Sequence, residues 1–74
     1  MTYAAFHVDD HHTDGVIVAI GDDRDAVQAE AIRRVLTIGA TFGEIQIQQR
    51  DDLADVAKET AAHLDAFFAT AGAA

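Results

Sequence analysis

The residues Leu53, Val56, Ala57, Thr60, Ala61, Leu64, Phe67, Phe68 and Ala71 return at three- and four-residue intervals. That spacing lines one side of an α-helix with apolar groups. A helix with a single apolar stripe must bury it against another element, so the chain is committed to a layered domain. The second layer is written upstream. In Thr2–Val8, Ala4, Phe6 and Val8 point one way, and Tyr3, Ala5 and His7 the other, as a pleated strand requires. Val16–Ile20 is a β-branched run and reads as a second strand. The polar stretch between them ends in Asp14-Gly15, a turn signal, so the two strands form a hairpin. In Glu44–Gln49, Ile45 and Ile47 face inward while Glu44, Gln46 and Gln48 face outward, the pattern of a half-buried third strand.

Between the second and third strands lies a first helix. Gly21-Asp22-Asp23 stops the strand, and an aspartate there accepts a bond from an orphan backbone N–H. Asp25 in the first turn favours the helix dipole. Val27, Ala31, Val35 and Ile38 form an apolar ridge, with Ile32 and Leu36 beside it. Glu30 precedes Arg33 and Arg34, which predicts surface ion pairs worth roughly tenths of a kcal/mol. Gly39 fits the helix stop, 40–43 is a connector, and Asp51 or Asp52 is expected to cap the second helix. Gly72-Ala73-Ala74 reads as a frayed tail. The expected fold class is α+β: a small two-layer single domain over 1–74 in the order ββαβα, with a three-stranded sheet and two helices on one face. Strand–helix–strand crossovers are right-handed and return the next strand parallel. The third strand should therefore run parallel to the second and antiparallel to the first, and it pairs with either.

The core available to this fold is thin. Half of the residues are apolar, but many are alanine, and a chain of this length buries only about 60% of its unfolded surface. There is no cysteine or proline, so no disulfide or thiolate metal site staples the fold. A homodimer or a bound partner is expected to supply the missing stability. The net charge of −8 disfavours direct binding to nucleic acid and to anionic membranes. It favours a basic protein or a nucleic-acid-handling protein complex as partner, and it also keeps a small protein soluble. No run of about 18 apolar residues is present. Met1–Val8 lacks the basic start and apolar stretch of a secretion signal. A cytoplasmic location is expected.

Two clusters carry the candidate chemistry. The second and third strands end at the same edge of the sheet, each followed by an aspartate-rich helix start. Asp22, Asp23, Asp25, Asp51, Asp52 and Asp55 should therefore collect on one rim as a partner-binding surface, although helix capping explains most of them singly. At the opposite rim, His7, Asp9, His11 and His12, with Asp10 and Asp14 beside them, are ligand types for a divalent transition metal. Adjacent loop residues seldom converge on one ion without outside support, so a plain polar hairpin loop is the competing reading and no other cofactor is expected. The chain contains neither serine nor cysteine, no nucleophile elbow and no phosphate loop. Its solvated carboxylates lack the burial that shifts a pKa, so no enzyme activity and no catalytic residue is expected.

Tyr3-Ala4-Ala5-Phe6, Asp14-Gly15-Val16-Ile17-Val18, and Gly21-Asp22-Asp23 leading into Ala26, Ala29 and Ala31 together resemble the start of HicB-type antitoxins. In that family a strand hairpin runs into a helix opened by a Gly-Asp-type turn. The likeness spans roughly the first half of the chain. It departs from the family in lacking a proline-and-glycine-containing segment before the helix and a DNA-binding extension. The small acidic ββαβ style is also similar to phage-encoded inhibitors such as anti-CRISPR proteins. Both resemblances imply a non-enzymatic module that binds and regulates or inhibits a larger basic protein. The alternatives are a metal-binding protein using the His–Asp loop and a structural homodimer.

Overall fold

The computed structural model of the protein describes residues 1–39 and 43–71. The connector at 40–42 and the tail at 72–74 lie outside the described residues. Strands β1 (Tyr3–Val8) and β2 (Val16–Gly21) are followed by helix α1 (Arg24–Thr37), strand β3 (Glu44–Gln49), a 3-10 turn (Asp51–Leu53) and helix α2 (Ala57–Ala71). The sheet order is β2-β1-β3, with β1 antiparallel to both neighbours. β3 thus runs parallel to β2, as the crossover rule requires, but pairs with β1. This is the small two-layer α+β domain of the sequence pattern.

The register sorts the side chains. Ala5 lies opposite Ala19 and Ile47, and His7 lies opposite Val16 and Ile45. Directly opposite residues share a face, so Tyr3, Ala5, His7, Ile45 and Ile47 form the helix-facing side. Ala4, Phe6 and Val8 lie opposite Gln48, Gln46 and Glu44 on the other. α1 packs across all three strands, and α2 packs against β2. Ala5, Val18, Ala19, Val27, Ala31, Leu64 and Phe68 form one core cluster, with Tyr3, Ile17, Ile20, Ile45 and Ile47 packed on it. Among the described residues no large side chain is fully buried, and only Ala4, Ala5 and Ala31 are at 0% exposure. The thin core expected from composition is what the fold contains.

The β1–β2 ladder shifts register between Ala5 and Phe6, so that Ala19 and Ile17 find partners and Val18 between them does not. This is a β-bulge, which leaves one residue's backbone unpaired and adds local twist. Val18 and its neighbour Ala19 are both buried. At the start of β3, Gly43 has φ +95°, and a Cβ there would stand 2.1 Å from Val8 O. Only glycine allows β3 to enter so close to the end of β1.

Two expectations on the helices are corrected. Ile38, placed on the buried ridge of α1, is 43% exposed, and Leu36 is 66% exposed, while Arg34 is buried with Val27, Ala31 and Val35. Arg34 takes an inward position because its guanidinium has partners on β2 and α2. The second helix starts at Ala57, and neither Asp51 nor Asp52 caps it. Asp51 instead accepts Thr2 N–H at 2.8 Å and Gln49 Nε2 at 2.9 Å, and Asp52 accepts two bonds from the Arg50 guanidinium, both at 2.9 Å. With both carboxylates so used, the chain makes a 3-10 turn before α2.

Candidate functional site

β2 ends at Gly21 and β3 at Gln49, both opposite Tyr3. The two strand exits therefore flank the start of β1. Asp22 shares a shallow depression with Thr2, Ile20, Ala54, Ala57 and Lys58, so the helix starts after β2 and β3 do meet at one end of the sheet. The six rim aspartates divide into two sets. Asp23 caps α1, its Oδ1 accepting Asp25 N–H at 3.0 Å and Ala26 N–H at 3.4 Å. Asp51 and Asp52 are engaged as above. The Thr2 N–H bond, joined by that of Gln49, holds the Asp51 carboxyl below its ordinary range, and the Arg50 guanidinium does the same to Asp52. Asp22, Asp25 and Asp55 are exposed, and among the described residues their carboxylates make no hydrogen bond or ion pair. Arg24, Arg50 and Lys58 stand in the same segments and offset part of the negative charge, which the count of aspartates alone did not reveal.

The opposite rim has a different logic. Asp9 Oδ1 accepts the backbone N–H of His11 at 2.9 Å and of His12 at 2.7 Å, an Asx turn that folds the hairpin loop on itself. The His12 N–H is the main reason the Asp9 carboxyl lies below its ordinary range. Asp9 also draws two imidazoles near: His12 Nδ1 lies 3.3 Å from Oδ1, and His7 Nδ1 lies 3.8 Å from Oδ2. His7 is buried under α1, beside Ile32, Val35, Leu36 and Ile45, whereas His11 and His12 are exposed. The loop thus gathers His7, Asp9 and His12 around one carboxylate that already serves its own turn. Among the described residues, no group of three or more histidine or acidic side chains is arranged to hold a metal ion.

The residue that sequence reasoning missed is Arg34. Its spacing from Glu30 predicts a surface pair, yet it is only 4% exposed. Its Nη1 donates to Val18 O at 2.8 Å, capping a carbonyl of an outer strand. Nη2 bonds Asp65 on α2, and the guanidinium carbon lies 5.1 Å from the Phe68 ring centroid. Nε is 2.8 Å from Glu30 Oε1 but is not directed at it and makes no hydrogen bond, so that contact is charge pairing alone. One guanidinium thus joins α1, β2 and α2. The available signal was the spacing: position 34 falls with 27 and 31 on the inward side of the helix.

Fold and site define a small α+β domain with a structural arginine hub, a partly neutralised aspartate rim and a self-capped His–Asp loop. No protein-family model matches the chain, no curated protein matches it, and no solved structure matches it. Among the described residues, no helix is long and apolar enough to cross a membrane.

Proposed function

We propose that this chain is a non-enzymatic protein-binding module that docks its aspartate rim on a larger basic protein and regulates or inhibits it, in the manner of an antitoxin or an anti-CRISPR protein. The supporting observation is the division of labour along the rim. Asp23 starts α1, Asp51 ties the exit of β3 to the start of β1, and Asp52 holds Arg50. The carboxylates of Asp22, Asp25 and Asp55 accept no such bond and stand exposed on the elements so fixed. Carboxylates held on a rigid frame and left without internal partners offer a complementary potential to a basic surface and accelerate encounter with it.

The test is a pull-down with the full chain, beside a triple variant carrying Asp22→Asn, Asp25→Asn and Asp55→Asn. The three substitutions spare the aspartates that hold the fold. A basic protein retained by the wild type should bind the triple variant at least about tenfold more weakly, and the wild-type complex should loosen as salt rises. Retention unchanged by the triple substitution, or no basic partner retained, overturns the reading.

A further inference from the structure

β3 is a terminal strand, and among the described residues no strand pairs with its outer edge. Arg50 N–H donates to Thr2 O at 2.7 Å, continuing the β1–β3 register. Along an antiparallel strand, residues bonded to one neighbour alternate with residues whose backbone groups turn away from it. Gln48, Gln46 and Glu44 therefore bond to β1, while Ile45, Ile47 and Gln49 present N–H and C=O groups outward. Natural edges are blunted by lysine, proline or a bulge, and Glu44–Gln49 has no lysine or proline and no register shift against β1.

The surroundings of this edge set it apart from the rest of the molecule. Between Val35 and Gln49 the only charged residue is Glu44, in a chain of net charge −8. Ile32 and Leu36 of α1 are 44% and 66% exposed and border, with Ile45, a groove of about 260 Å³ beside the strand. A second copy, itself strongly negative, meets Glu44 as the one carboxylate of this stretch, and Arg50 stands between it and the aspartates that follow.

We propose that β3 pairs antiparallel with β3 of a second copy, so that one sheet runs through both. The strand is self-complementary. With Ile47 opposite its counterpart, Ile45 faces Gln49, Gln46 faces Gln48, and Glu44 at one end faces Arg50 just past the other. All three outward-facing residues then find backbone partners, and opposite charges meet at both ends. Arg50 keeps Asp52 on Nε and Nη2, and its Nη1, at 3.3 Å from Gln48 Oε1, turns to the second carboxylate. Ile45 and Ile47 become continuous with their counterparts on the helix-facing side, and Ile32 and Leu36 of both copies close over them. This assembly also completes a core in which no large described side chain is fully buried.

The experiment combines sedimentation equilibrium of the full chain, from micromolar to millimolar concentration, with amide hydrogen exchange followed by NMR. The expected result is a dimer, with the Ile45, Ile47 and Gln49 amides slowing as it forms. Gln46→Lys with Gln48→Lys alters two exposed side chains on the open sheet face and sets lysines opposite each other, so association should weaken by at least about tenfold. Glu44→Arg, facing Arg50, should also weaken it. Both variants reduce the net negative charge and would strengthen any association limited only by general repulsion, so loss in both identifies this register. A monomer at every concentration, or a dimer indifferent to the lysine pair, overturns the proposal. The rim aspartates are untouched, so neither this result nor that of the docking test decides the other.

Discussion

The two outer strands, β2 and β3, have the same length and the same central neighbour, yet their free edges are treated in opposite ways. Along β2, Arg34 fills the Val18 carbonyl, and Leu64 and Phe68 of α2 pack beside the strand. Along β3, backbone groups face outward beside exposed isoleucine and leucine. The route of the chain explains the contrast. After β3, Asp51 fastens to Thr2 and the chain crosses to the β2 side, so α2 covers the far edge. Closing an edge here took a charged side chain from a helix, and a thin core could afford one such device.

The comparison can be broken most severely at Gly43. Gly43→Ala forces a Cβ against Val8 O in left-handed backbone and should cost about 3–4 kcal/mol by displacing β3. Gly39→Ala, at φ +72° with open space around it, is its control and should cost about 1 kcal/mol; urea unfolding measures both. On the closed edge, Arg34→Ala strands Val18 O and Asp65 and should cost about 2–3 kcal/mol. That is less than a fully buried pair, because the Asp65 side chain is 70% exposed. Arg34→Lys should recover little of the loss, since an ammonium cannot reach three elements at once.

A gentler probe is acid. Asp51, Asp52, Asp9 and Glu30 all have pKa values lowered in the fold. Their contribution is present above the unfolded values near 4 and is lost as pH falls through the lower folded values. The urea midpoint should therefore hold from neutral pH to about pH 5 and drop below about pH 4. Asp51→Asn should make that drop shallower, because the β1–β3 clasp no longer contributes a titrating group.

Most of the fold was legible because it rests on local signals. Alternation placed the three strands, and Asp23 opened α1. The gathering of the aspartates at one end followed from strand direction. What was illegible depends on residues far apart in sequence. Glu30 four places before Arg34 looks like any surface pair, and nothing local announces that Val18 O and Asp65 wait for it. Asp51 looks like a helix cap until Thr2 is folded against it. The bulge has no glycine to mark it. At the candidate site, residue types showed which carboxylates were present, but only the structure separated the three that hold the fold from the three that remain unpartnered.

Arg34 has a consequence for the way the chain folds. A hairpin carrying α1 but not α2 would hold Arg34 without Asp65 and Phe68, two of the partners it has in the fold. Such a half-built species lacks an ion pair as well as the apolar contact of Leu64 and Phe68, so it should not accumulate. The unfolding transition should then be all-or-none, with helix content and Tyr3 fluorescence falling together and the amides of α1 and α2 opening at the same free energy.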